Sequence, residues 1–333
     1  MSLLKRAAIA AGAIGGAAGA AYVAQRMAAA RIRQVPDADA HRTLDEPIYI
    51  DHQLDSHDGG TIYVVENGDA DAPPIVLSHG VTLSVRTWFY QLEQLPKAGF
   101  RTIAFDHRGH GQSVLGTAGH SLDNLAEDVK TVVEQLDVRD AILVGHSMGG
   151  VAVQMFLIKY PELAAERVAG VVLLSTLAYT PLGSRSTRTK AQLERLTRRS
   201  PDTQFIWERP NFGFLLARLG FGKRPRPSHV ELIRRMMADC PPDTRRDAPR
   251  ILVGLDLTPD LPKIDMPTLV IGGTADMLTP LSEAKRIVKL IPGARLEVLP
   301  DGGHMLMLER AETLTQLIVD FAREARARRH SAA

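Results

Sequence analysis

"AILVGHSMGG", residues 141–150, reads as a strand, a turn and the start of a helix within ten letters. The run from Ala141 to Gly145 suits a strand buried on both faces. A serine then stands between two glycines, which weaken both strands and helices. Stability does not justify that spacing, but a sharp strand-to-helix turn does. Such a turn holds the serine in a strained conformation with its hydroxyl above the sheet, and larger flanking residues would clash there.

The same pattern extends in both directions. "TIYVVENG" pairs with "PIYI" across the turn at Asp58, Gly59 and Gly60. "PIVLS" (74–78), "RTIAFD" (101–106), "VVLLS" (171–175), "TLVIG" (268–272) and "LEVLP" (296–300) read as strands buried on both faces. Helical stretches lie between them, at 121–136, 148–160, 281–290 and 311–328. With residues 141–145, eight strands alternate with helices. This predicts an α/β fold: a mostly parallel eight-stranded sheet with helices on both faces.

One interval breaks the rhythm. Residues 179–261 carry no convincing buried strand and are too long for a loop in a compact domain. They read as a helical lid inserted into a core made of residues 45–178 and 262–328. Within it, Ser228 and Glu231 have capping-box spacing, ahead of Val230, Ile233 and Met237 on one face. Residues 181–250 hold 16 lysines and arginines against 7 acidic residues, so this stretch is far more basic than the chain. That favours an anionic surface such as phospholipid, unless it is simply a solvated face.

The N-terminal segment, residues 1–35, is Ala/Gly-rich. "AAIAAGAIGGAAGAAYVA" (7–24) has no charge and approaches the length of a membrane span. A span, a cleaved export signal and a frayed helix all fit it.

The chain has 333 residues, 45 % hydrophobic and 23 % charged, which leaves room for one large globular domain or two. A net charge of +2 is too mild to argue for nucleic acid. The single cysteine, Cys240, excludes an internal disulfide. No zinc spacing or phosphate loop appears, so no metal and no cofactor is implied. The sequence is silent on oligomeric state.

A serine needs a base, and the base needs an acid to orient it. After Ser147 the histidines are His229, His304 and His330. His304 follows the last strand and precedes the last helix, which puts it at the sheet's carboxyl edge. Asp276 follows the preceding strand in "LVIGGTADMLTP"; Asp301, three residues from His304, is its rival but suits a local turn. The backbone N–H groups of Met148 and Val81 would form an oxyanion hole, with His79–Gly80 turning the chain.

These stretches, "SHGV", "FDHRGHGQS", "GHSMGG", "GGTADMLTP" and "GGHMLMLE", resemble the α/β-hydrolase superfamily over residues 47–325, in its serine esterase and lipase branch. The flavour is that of monoacylglycerol-lipase-like and haloperoxidase-like members. The resemblance implies that Asp106, His107 and His110 are structural. It also separates Ser147 from the epoxide hydrolases and haloalkane dehalogenases, which carry aspartate at the elbow. Hydrolysis of an ester with an apolar acyl group is the leading expectation. Thioester, lactone, C–C and perhydrolytic reactions stay open, as does a non-catalytic receptor. Phe212, Phe214 and Leu215, with His79, are the candidate substrate contacts.

Overall fold

The computed structural model describes residues 22–42, 49–180 and 203–332. Its centre is an eight-stranded sheet of order β1-β2-β4-β3-β5-β6-β7-β8. The strands are β1 (Ile50–Asp55), β2 (Thr61–Asn67), β3 (Pro74–Ser78), β4 (Arg101–Phe105), β5 (Ala141–His146), β6 (Val168–Leu174), β7 (Thr268–Gly273) and β8 (Arg295–Leu299). β2 runs antiparallel to both β1 and β4, and every other pairing is parallel.

Alternation along the central strands divides their side chains between two apolar layers. Ile75, Leu77, Ile142, Val144, Val172 and Leu174 face one layer; Val76, Leu143, Val171 and Leu173 face the other. The first layer is covered by α2 (Phe89–Lys97) and the C-terminal helix Ala311–Ala332; the second by α3 (Leu122–Gln135) and α4 (Met148–Lys159). Ser121 caps α3 by accepting from the Asn124 N–H at 3.0 Å.

Three expectations need correction. Strand β1 begins at Ile50 and runs on to Asp55, beyond "PIYI". β8 is not buried on both faces: it is an edge strand, and Arg295, Glu297 and Val298 are exposed. Ser228 and Glu231 form no capping box. Pro227 starts the helix, so Ser228 already lies inside the first turn, where Asp37 accepts from both its N–H (2.6 Å) and its hydroxyl (3.1 Å). Glu231 instead binds Arg234.

Between β6 and β7, the described residues 203–261 are helical. They form Gln204–Glu208, Pro210–Arg218, Pro227–Asp239 and Pro242–Asp247, followed by short 3-10 turns. Several of their cations are paired, some within the insertion (Arg234 with Glu231, Arg246 with Asp243 and Asp247) and some with the rest of the fold (Lys223 with Asp301, Arg226 with Asp39). Six of the sixteen cations fall in 181–202, outside the described residues.

Residues 22–33 are helical (α1), and Ala29 is fully buried. Arg33 donates to Asn211 Oδ1 (2.7 Å) and the Pro210 carbonyl (3.0 Å). Residues 29–42 are therefore part of the packed fold. Among the described residues, no helix is long and apolar enough to cross a membrane. Most of the charge-free stretch, 7–21, lies outside them.

Candidate active site

β5 delivers Ser147 at the carboxyl edge of the sheet with φ 53° and ψ −117°, a costly conformation for a residue with a side chain. Two hydrogen bonds and the helix that follows over-determine it. The Ser147 N–H donates to the Leu174 carbonyl at 3.1 Å, the Thr176 hydroxyl donates to the Ser147 carbonyl at 2.6 Å, and α4 starts at once with Met148. The flanking glycines are a steric requirement. A Cβ on Gly149 would lie 2.2 Å from the Ser78 carbonyl oxygen, and one on Gly145 would lie 2.5 Å from that of Gly149.

The loop after β3 passes against this elbow. A Cβ on Gly80 would lie 3.2 Å from that of Ser147. The chain at Gly80–Val81 and the start of α4 at Met148 thus approach the serine from two separate segments. The Met148 N–H heads a helix and has no intrahelical acceptor. His79, the polar candidate for substrate contact, packs inside the fold. It is fully buried, its Nδ1 lies 2.7 Å from the Gly80 carbonyl, and its Nε2 accepts the His107 N–H at 3.0 Å. Burial lowers its pKa to about 4, so it is neutral and braces the loop.

His304 sits between β8 and the short helix Leu306–Glu309, and is buried. The backbone around it is pinned from the insertion. The His304 and Met305 N–H groups both donate to the Gly220 carbonyl, at 2.8 and 3.2 Å. Glu309 accepts from Gly222 (2.7 Å) and Gly303 (3.0 Å), and burial raises its pKa. His146, the residue before Ser147, lies with Nε2 3.0 Å from the His304 carbonyl and its ring centroid 4.7 Å from that of His304. That contact joins the nucleophile strand to the histidine loop.

Asp276, buried in the loop after β7, holds His304 Nδ1 at 2.9 Å through Oδ2. Its Oδ1 accepts the N–H groups of Leu278 (2.8 Å) and Thr279 (2.9 Å). Burial alone would raise the carboxyl's pKa. The hydrogen bond and charge of His304, with Thr279, outweigh burial and lower it, so Asp276 stays ionised. Nδ1 facing a carboxylate carries the proton, which leaves Nε2 bare. Asp301 is turned away: exposed, at φ 58°, it pairs with Lys223 at 2.6 Å.

The apolar candidates divide. Phe214 is buried under the Arg33 guanidinium, 4.5 Å from the ring centroid. With Arg33, Asp37 and Leu232 it lines a cleft of about 620 Å³ against the N-terminal segment. Leu215 packs on the same core, and only Phe212 is exposed. The exposed apolar residues adjoining the catalytic loops are others: Leu219 (53 %), beside Gly220, and Met277 (75 %) and Leu278 (55 %), after Asp276. The sequence reading missed Met277 and Leu278, along with His146, Thr279 and Glu309, whose only signal was proximity in sequence to Ser147, Asp276 and His304; Thr176, at the end of β6, had no such signal.

The "DHRGHG" loop is structural in geometry. Arg108 binds Asp128 and Asp58 at 2.7 and 3.0 Å, and His107 Nε2 meets the Ser78 hydroxyl at 2.8 Å. Among the described residues no group of three His, Cys, Asp or Glu side chains could hold a metal ion.

A mostly parallel sheet with a strained serine after β5 and an acid–histidine pair after β7 and β8 defines a class, that of the α/β hydrolases. The chain belongs to the alpha/beta hydrolase fold family, whose model matches residues 73–311. It is 31 % identical to a non-heme chloroperoxidase of Burkholderia pyrrocinia over 273 residues, 79 % of this chain and 96 % of that one. It is also 31 % identical to a bifunctional esterase/perhydrolase of Acinetobacter calcoaceticus, over 80 % of this chain and 97 % of the relative. Among solved structures, an esterase of Exiguobacterium antarcticum superposes with TM-score 0.71 at 26 % identity, over 82 % of this chain and all of the other. The protein is a hydrolase-family enzyme, for which a small-molecule substrate is the natural partner.

Proposed function

We propose that the protein hydrolyses carboxylic esters through an acyl-enzyme on Ser147. The observation that carries this reading is the buried 2.9 Å pair of Asp276 and His304, joined through His146 to the strained serine. The Ser147 Oγ attacks the ester carbonyl carbon while its proton passes to His304 Nε2. The developing oxyanion takes hydrogen bonds from the N–H groups of Val81 and Met148. His304 then gives that proton to the departing alcohol. Water, deprotonated by the same nitrogen, cleaves the acyl-enzyme and regenerates the serine. Asp276 orients the imidazole and stabilises its charged form. Leu219, Met277 and Leu278 favour an apolar acyl group, because they expose hydrophobic surface next to the loops that carry the chemistry.

The test is a series of p-nitrophenyl esters from short to long acyl chains, with fluorophosphonate labelling. Wild-type protein should label and turn over, with activity rising on the longer apolar chains. Ser147→Ala should do neither. Turnover by Ser147→Ala would end the proposal.

A second reading rests on the relatives named chloroperoxidase and esterase/perhydrolase. Hydrogen peroxide in place of water would release a peroxy acid from the same acyl-enzyme, and no metal would be needed. Peroxy acid formation from a carboxylic ester and peroxide, absent in Ser147→Ala, distinguishes it.

The finer reading of location is lipid contact at the N-terminal end. Tyr22 and Val23, at the end of the charge-free stretch 7–24, and Met27 just beyond it are exposed on α1. Co-sedimentation with vesicles, lost when residues 1–21 are deleted, tests it.

A further inference from the structure

The loop that carries the acid, "TADMLTP" (274–280), brings a third polar side chain into the acid–base pair. Thr279 Oγ1 lies 2.7 Å from Asp276 Oδ2 and 3.1 Å from His304 Nδ1, while Nδ1 itself is 2.9 Å from the same Oδ2. The three atoms form a closed triangle. Thr279 is buried, as are Asp276 and His304, so water does not compete freely for any corner.

Only two protons are available to the three atoms, one on the hydroxyl and at most one on Nδ1 of a neutral ring. With Nδ1 protonated, the hydroxyl donates to Oδ2, and the Nδ1–H faces two acceptors, Oδ2 and Oγ1. With Nδ1 bare, its lone pair would face the ionised carboxylate at 2.9 Å, with nothing between them. The hydroxyl could then relieve one clash only by giving up its bond to Asp276. The triangle thus favours the tautomer whose Nε2 is free. It also keeps an oxygen acceptor on the ring when Nε2 takes up a proton.

We infer that Thr279 is a positioning residue: its hydroxyl locks Asp276 Oδ2 in place and holds His304 in the tautomer that can accept the Ser147 proton. This rests on the reaction proposed above. Thr279 itself touches neither the substrate nor the reacting atoms.

Two variants and two readouts test it. Thr279→Val keeps the shape and removes the hydroxyl; Thr279→Ser restores a hydroxyl at the same backbone position. The loss of a hydrogen bond to a charged group predicts a fall in kcat of about ten- to hundredfold for Thr279→Val, with KM changed by less than about twofold. Fluorophosphonate labelling should slow by a similar factor while the Tm stays within a few degrees. Thr279→Ser should recover most of the rate. The second readout is the low-field proton NMR signal of His304 Nδ1–H, assigned by its loss in Asp276→Asn. Thr279→Val should shift or broaden it, and Thr279→Ser should bring it back.

Wild-type kcat with an unmoved Nδ1–H signal in Thr279→Val overturns the inference. A kcat loss that Thr279→Ser does not recover, or one that tracks a collapse in Tm, overturns it too. If Ser147→Ala retains turnover, the reaction itself is wrong. The NMR signal, independent of activity, then decides the positioning role alone.

Discussion

At the scale of residues, the two carboxylates that the sequence offers to one histidine have opposite fates. Asp276 is buried, accepts two backbone N–H groups and meets His304 Nδ1; Asp301 is exposed and spends its charge on Lys223. Asp276→Asn puts an amide where the Nδ1–H must be received, and should cost on the order of 10⁴-fold in kcat, as the corresponding change does in a serine protease. Asp301→Asn should leave kcat within about twofold, because an exposed, solvent-screened ion pair contributes little. The reverse pattern in ester kinetics would move the acid to Asp301. The neighbouring histidines carry a pH prediction. Burial lowers the pKa of His79 to about 4, and burial with the Arg108 charge does the same to His120. Each is neutral in the fold yet takes up a proton when unfolded below about pH 6.5. Their contribution to stability is therefore complete above that pH and is lost as pH falls toward 4. Each should cost about 2 kcal/mol by pH 5, by the conversion of roughly 1.4 kcal/mol per unit. Asp106, raised by burial to about 7, works the other way, since it binds its proton in the folded state. Urea unfolding from pH 7 to pH 5 should show stability falling, with a shallower slope in His120→Asn. A flat profile would mean that these rings are charged or solvated in the fold.

At the scale of elements, the turn between β5 and α4 was the most readable feature, because sterics leave it few sequences. The Gly149 Cβ position lies 2.2 Å from the backbone oxygen of Ser78 and 2.6 Å from that of His79, and neither can retreat without breaking the β3–β5 pairing. Gly149→Ala should therefore impair folding as well as catalysis, with a Tm lowered by several degrees or little soluble protein. A well-folded, fully active Gly149→Ala protein would show that β3 and the elbow can separate. The interior strands were legible for a similar reason: burial on both faces leaves few polar positions. β8 reads much the same in sequence, "LEVL", yet stands at the sheet edge, because neighbour order is a tertiary fact. Ser228 and Glu231 misled in a different way. Pro227 displaced the helix start, and the acceptor for Ser228 came from Asp37, 191 residues away. Ser147, Asp276 and His304 could be singled out because each follows a strand within a few residues. Thr279, Glu309 and Gly220 could not, since their partners are fixed only by how the loops stack.

At the scale of the whole molecule, the N-terminal segment ties the insertion to the core. Asp39, buried, receives the Tyr90 hydroxyl from α2 at 2.7 Å and pairs with Arg226, at the start of the helix Pro227–Asp239. His229 Nε2 meets the same Tyr90 oxygen at 2.7 Å. Asp37 accepts from the first turn of that helix, Arg33 grips Pro210 and Asn211, and Arg42 binds Glu93 of α2 at 2.8 Å. Burial works to raise the Asp39 pKa; Tyr90 and Arg226 outweigh it, so the carboxylate stays charged and holds both sides. The relatives compared cover only about four-fifths of this chain, although all but a few per cent of their own length. The insertion in turn reaches the histidine loop through the Gly220 carbonyl. Loosening the N-terminal tie should therefore be felt at His304. Deleting residues 1–21 should leave Tm and kcat near wild type, since these ties begin at Ala29. Deleting 1–42 strips the partners from Arg226, Tyr90 and the first turn of the helix at Pro227. It should lower the Tm by about 2 °C or more, as loss of ~1–2 kcal/mol does in a domain of this size. It should also lower kcat/KM more than Asp39→Asn does alone. A 1–42 deletion that melts and turns over like the full chain would make the segment an ornament, and the insertion self-sufficient on its core.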